Sequence, residues 1–195
     1  MSRILILPGS LRRGAWSMQL ALELADRLMG VIDVDVIEAE SLSLPLFNED
    51  LEEEPPTAAR VMALHARFCS ADGIILCTPE YNGQLPPVVT NMVDWVSRPA
   101  YRDASLANPF LDKPTLLCTV STGGGGGALA IAHARALMGY VGAHVLGITL
   151  SIPHADSAWL APGMWTDPTL DVRLEHALAC LMRSLGLSQG TAALA

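Results

Sequence analysis

Charged residues are scarce in this 195-residue chain: they make up 16% of it, against 51% hydrophobic residues. So thinly charged a surface leaves apolar area in excess, and an association interface is the use expected for it. Basic residues are the rarer sign, twelve against twenty acidic ones, for a formal net charge of −8. That balance argues against nucleic acid or an anionic membrane as a partner, because both present negative charge. Aromatics, at 5%, are too few to build a stacking platform for single strands. The four cysteines (Cys69, Cys77, Cys118, Cys180) lie far apart, and no pair has metal or redox spacing. They read as core thiols of a protein in the reducing cytoplasm. No cleavable leader is expected, since residues 1–8 read as a strand from almost the first residue. The longest apolar stretch, residues 128–152, is broken by His133, Arg135 and His144, which excludes a membrane span. There is no G-x-S-x-G for an esterase and no metal-spaced histidine cluster. His133 and His144 read as surface or packing residues.

What the chain does have is a steady alternation of strand and helix signals. Residues 3–7 are an apolar run ending at Pro8 and Gly9, and residues 18–29 carry helical spacing through Leu20, Leu24, Ala25 and Leu28. Residues 31–37 alternate apolar side chains with aspartate, as a strand near a sheet edge does. A helix over 57–71 follows Pro55 and Pro56, and residues 73–77 read as a buried parallel strand stopped by Pro79. Pro87 opens a helix over 88–97, where a missing N–H costs nothing. Then come a strand at 115–120, a helix at 128–140, a strand at 143–151 and a closing helix at 169–185. Five such units predict a single domain over 1–195: a doubly wound five-stranded parallel sheet with right-handed crossovers and helices on both faces. The acidic patch 49–54 reads as a solvated turn.

Three loops then fall on one sheet edge, at the carboxyl ends of strands one, three and four, where open α/β sheets bind ligands. The first runs from Gly9 to Ser17. A glycine turn, hydroxyls and a helix N-terminus can surround an anion, and Arg12 and Arg13 add charge and bidentate donors. The same loop also reads as a plain helix start capped by Ser17, with two solvated arginines. The second loop packs Glu80, Tyr81, Asn82 and Gly83 directly after the third strand, which suits a planar hydrogen-bonding ligand; the bland alternative is a turn against the next helix. The third is STGGGGG, from Ser121 to Gly127, whose backbone lets a flat ligand approach closely. It satisfies G-x-G-x-x-A at Gly123, Gly125 and Ala128, but after the wrong strand and with no acidic residue following to take a ribose hydroxyl. No lysine follows the glycines, so a nucleotide phosphate loop is excluded.

Taken together, GSLRRGAWSMQLA, LPLFNEDLE, TPEYNGQLPPVVTNMVDWVSRP and the glycine-rich segment resemble the NADPH-dependent FMN reductase family, over roughly residues 3–150. The resemblance implies a flavodoxin-like fold of strand order 2-1-3-4-5 and a noncovalent FMN, with NADPH or NADH as electron donor. The phosphate would sit against Ser10, Arg12, Ala15, Trp16 and Ser17. The isoalloxazine would lie against Pro79, Glu80, Tyr81, Asn82 and Gly83 on one side and Ser121, Thr122, Gly123 and Gly124 on the other. Electrons would pass to a quinone, azo dye, metal ion or free flavin. The competing reading is an electron carrier or flavin-bound regulator without turnover. Hydride transfer needs no side-chain acid, so no catalytic residue is assigned; Tyr81 and Asn82 are positioning candidates. Family members commonly form homodimers or homotetramers, and the run 86–96 is expected to be a buried interface helix. The chain departs from the family pattern at Ala15 and Ser17, where serine and asparagine are usual, and at Pro87 and Thr90. The tail after Pro153, with Trp159 and Trp165, matches nothing in the family pattern.

Overall fold

The computed structural model describes residues 2–187. In chain order it forms β1 (Arg3–Pro8), α1 (Trp16–Leu28), β2 (Asp33–Val36), α2 (Pro55–Ser70), β3 (Gly73–Pro79) and α3 (Pro87–Arg102). Then follow β4 (Pro114–Val120), α4 (Ala128–Tyr140), β5 (His144–Ile152), a small antiparallel pair β6 (Trp159–Ala161) and β7 (Met164–Trp165), and α5 (Thr169–Ser184). The first five strands make one parallel sheet in the order β2-β1-β3-β4-β5, as the sequence predicts.

Strand alternation assigns the two cores, because successive side chains leave a sheet on opposite faces. Ile4 and Ile6 of β1 pack with Leu20 and Leu24 of α1 and Leu174 and Leu181 of α5. Leu5 and Leu7 pack the other way, with Phe68 of α2, Val93 of α3 and Met138 of α4. Each such side chain, fully buried, contributes about 1.5–3 kcal/mol of transfer free energy. Edge strand β2 is the exception: its Asp33 and Asp35 stay half-exposed and pair with Arg3 (2.7 Å) and Arg67 (2.5 Å). Charges there discourage strand addition at the open edge.

Three expectations need correction, and the ground for a fourth changes. The acidic patch 49–54 is not merely solvated: Glu52, its side chain 8% exposed, accepts from Arg98 Nε at 2.5 Å and pairs with Arg102 at 3.0 Å, while Glu49 and Glu53 meet the same two arginines. Those ion pairs hold the last turn of α3, which consequently runs through Pro99 to Arg102 instead of stopping at residue 97. The apolar run 86–96 is covered by this chain itself: Val89, Met92, Val93 and Val96 lie in the core beneath α3, and Trp95 Nε1 donates to Pro45 O at 2.8 Å. Its apolar content is thus accounted for within the chain, while Pro87 and Asp94 lie on the exposed side of the helix. Of the cysteines, Cys77 and Cys118 are core thiols facing each other across β3 and β4, with the Cys77 thiol pushed well up by burial, but Cys69 and Cys180 are only half-buried.

Candidate functional site

All three loops leave the carboxyl edge of the sheet around the crevice between β1 and β3, where the chain reverses its direction of winding. Gly9 begins the first loop by donating to Cys77 O at 2.6 Å, and a Cβ there would stand 2.7 Å from Thr78 Oγ1. Only glycine lets the chain leave β1 so close to β3. Ser10, 3% exposed, accepts the Arg12 N–H at 3.2 Å and lies 3.2 Å from the Tyr81 hydroxyl, so the first loop is stitched to the second. The cap of α1 is Ala15, not Ser17, and no side chain caps it. Ser17 stands one residue inside the helix, 1% exposed, and its Oγ has no hydrogen-bond partner among the described residues. This removes the capped-helix reading of the loop. What is left is an uncapped helix N-terminus whose Trp16 and Ser17 N–H groups have no partner among the described residues, a buried orphan hydroxyl and Arg12 beside them, a set of donors suited to an anion.

The second loop is a hairpin turn of two residues. Tyr81 and Gln84 exchange backbone hydrogen bonds at 3.0 Å, with Asn82 and Gly83 at φ 54° and 73° between them. Asn-Gly is the pair best suited to such positive φ values. Glu80 has a task the sequence did not reveal: its Oε2 accepts the N–H groups of Leu129 and Ala130, both at 3.0 Å. The carboxylate thereby anchors the second loop on the N-terminus of α4, where the helix dipole favours negative charge.

In the third loop the five glycines divide into two sets. Gly126 and Gly127 have φ of 60° and 83°, and a Cβ on Gly127 would meet Thr119 Cβ at 2.8 Å; the fold requires both. Gly123, Gly124 and Gly125 have no such strain and no neighbour closer than 3.4 Å to an added Cβ. Among the described residues nothing asks for glycine at those three positions.

Between the loops lies a cleft of about 140 Å³. Ser10, Arg12, Ala15, Trp16 and Ser17 enter it from the first loop, Pro79, Glu80 and Tyr81 from the second, and Ser121 and Thr122 from the third. Of the residues expected at the site, Asn82, Gly83, Gly123 and Gly124 do not line the cleft. One lining residue was missed, as were two residues beside the loops. Val120 lines it from the end of β4. His154, at φ 50°, holds its imidazole 3.4 Å from where a Gly124 Cβ would be. Trp159 stacks on Trp16, a contact between residues far apart in sequence that no local pattern announces. A wider hollow of about 650 Å³ lies between α1 and the β6–β7 hairpin, but Glu23 and Asp26 line it, which would repel an anion.

Sheet order and a loop-lined crevice at the switch point together define a flavodoxin-like protein. A model of the NADPH-dependent FMN reductase family matches residues 2–157, and the chain belongs to that family. It is 33% identical over 139 residues to a 2-hydroxy-1,4-benzoquinone reductase of a Burkholderia species, covering 71% of each chain. It is 31% identical over 144 residues to a quinone reductase of Escherichia coli K12, covering 74% of this chain and 73% of that one. Among solved structures it is similar to FerB, a flavoenzyme NAD(P)H:(acceptor) oxidoreductase from Paracoccus denitrificans, with TM-score 0.79 and 26% identity over 97% of this chain and all of that one. FMN and a nicotinamide donor are accordingly this protein's cofactors. The residues present fit the flavin: an orphaned hydroxyl where a phosphate would accept, and unforced glycines where a ring would lie.

Proposed function

We propose that this protein is an NAD(P)H-dependent oxidoreductase that reduces quinones through FMN held at the three-loop cleft. The observation that carries the site assignment is the buried, partnerless hydroxyl of Ser17 beside the uncapped N-terminus of α1. Bound FMN supplies the two-electron hydride chemistry. The protein's part is to bind and orient. Ser17 Oγ, the N–H groups of Trp16 and Ser17 and the Arg12 guanidinium would hold the phosphate, each charge-assisted bond contributing about 1.5–3 kcal/mol where water is excluded. Ser10 and Tyr81, bonded to each other, fix the cleft floor. Tyr81 in the cleft, with Asn82 and Gly83 beyond it on one side and Gly123 and Gly124 beyond it on the other, would border the flat ring. Backbone N–H groups along the glycine loop would be placed to stabilise negative charge on the bound group.

The acceptor class follows the names of the two quinone reductases, and a cytoplasmic setting follows the free thiols. A homo-oligomer is proposed from exposed Tyr101 and Tyr140, near the ends of α3 and α4. Purified protein should show the flavin absorbance bands, release FMN on denaturation, bleach with anaerobic NADPH or NADH, and recover with a soluble quinone. Bleaching by neither nucleotide would leave the carrier or regulator reading in its place. No flavin after reconstitution with excess FMN would end both.

A further inference from the structure

The β6–β7 hairpin lies beyond residue 157, where the family match ends, and it is packed on the element that carries the anion site. The Trp159 ring lies parallel to that of Trp16, with centroids 5.7 Å apart and an interplanar angle of 5°. Trp165, 7% exposed, backs Trp159 at 4.7 Å. Trp16 is the first residue of α1, between Ala15 and Ser17, so the stack bears directly on the turn that presents the first-turn N–H groups and the Ser17 hydroxyl.

The hairpin also grips α1 at a second point. Gly163 N–H donates to Glu23 Oε2 at 2.9 Å, two turns further along the helix. Glu23 is 8% exposed and is held by Arg27 Nε at 3.2 Å; Arg27 in turn bonds Asp171 and Glu175 of α5. Fixing a helix at its first residue and again two turns on sets both its rotation and its axial position. The arrangement has a cost, since the indole N–H groups of Trp159 and Trp165 are buried without partners among the described residues. Phenylalanine or leucine would fill the hairpin without that penalty. The broad parallel face of the indole is what those residues would lack.

We infer that the hairpin is a clamp on the phosphate-binding turn, and that Trp159 is a positioning residue which pre-organises the first turn of α1 for the cofactor phosphate. The inference rests on the reading of the cleft as the FMN site. A preformed turn spares FMN the ordering cost of assembling its donors, and the benefit belongs to the phosphate alone. Riboflavin, which lacks the phosphate, should not register the loss.

Titrations of apoprotein with FMN and with riboflavin test this for wild type, Trp159→Leu, Trp159→Ala and Trp159→Phe, each with its melting temperature recorded. Trp159→Leu keeps an apolar side chain in the hairpin, so a folded variant without the stack is available even if Trp159→Ala does not fold. The expected result is FMN binding weakened tenfold or more in Trp159→Leu, riboflavin binding within twofold of wild type, and partial rescue in Trp159→Phe. Equal weakening for both ligands, or no weakening for either, would overturn the clamp while leaving the FMN site intact. A wild-type protein that binds neither ligand would instead overturn the cleft assignment itself, and the clamp with it.

Discussion

At Ser17 the interests of the empty fold and of the ligand diverge. A buried hydroxyl without a partner is a net cost to the apoprotein, and the same hydroxyl is a donor to an anion in the cleft. Ser17→Ala should therefore leave the apoprotein as stable as wild type or up to about 1 kcal/mol more stable, while FMN affinity falls about tenfold. Melting curves of the apoprotein and a flavin titration read the two effects separately; a destabilised apoprotein with unchanged affinity would mean the hydroxyl is structural. The glycine-rich loop makes a paired prediction. Gly123→Ala should fold normally, since its Cβ would have 3.5 Å of clearance, yet bind FMN less well. Gly127→Ala should lose about 1–3 kcal/mol of stability, because φ of 83° and Thr119 at 2.8 Å both oppose a side chain. The glycines all look alike in STGGGGG. Only their backbone angles and neighbours separate those the fold needs from those a ligand needs.

Elements in this protein are tied by single polar side chains reaching across sequence. Glu80 fastens the second loop to α4, and Lys113, just before β4, reaches the end of α2. Its ammonium donates to the carbonyls of Phe68 (2.7 Å), Cys69 (3.1 Å) and Ala71. Phe68 O also accepts the Ala71 N–H at 3.3 Å, and the ammonium adds the donors that a helix C-terminus otherwise lacks. Burial draws the Lys113 pKa below its ordinary value, with Cys69 and Asp72 opposing, and the three carbonyls favour the charged form. Lys113→Met keeps the stem and removes the donors, so it should cost about 2–4 kcal/mol by urea denaturation, without changing flavin affinity. A loss under about 0.5 kcal/mol would show that solvent serves those carbonyls as well. In the sequence Lys113 stands in an unremarkable loop. Helix boundaries were legible from proline and apolar spacing, but α3 outran its expected end because Arg98 and Arg102 pair with Glu49, Glu52 and Glu53, far earlier in the sequence.

For the molecule as a whole, acid is the expected weak side. Glu38 holds its carboxyl below the ordinary range through a backbone hydrogen bond and then the Arg67 guanidinium. Asp103 does so through Ser105, and Asp167 through Thr169. A carboxyl whose pKa is lower folded than unfolded binds fewer protons in the native state. Its stabilisation is complete above the unfolded value, near 4, and is lost as pH falls through the folded one. Asp94 runs the other way, since burial raises its pKa and favours the protonated form. Three groups against one predict a urea midpoint that is flat from pH 7 to 5 and declines below about pH 4. A midpoint that rises on acidification would mean that Asp94 dominates.

Local physics determined most of the architecture. Runs such as Ile4–Leu7 and Ile74–Cys77 can be satisfied only between two helical layers, and the alternation of strands with helices leaves few topologies once crossovers are right-handed. The aspartates of β2 marked the sheet edge, and the three loops were visible because glycine, proline and hydroxyl residues follow directly on apolar strand runs there. Tertiary structure decided what each loop residue does. Ser17 became an orphan donor and not a cap, because Ala15 is where the chain turns helical. Glu80 became an anchor because α4 begins beside it. The run 86–96 stayed inside the chain because the sheet face was there to receive it. Trp159 met Trp16 across more than a hundred residues. The physical reason is range: propensity and periodicity act over a turn or two of chain, whereas a hydrogen bond or a stacked ring is set by distance in space, which only the folded sheet fixes.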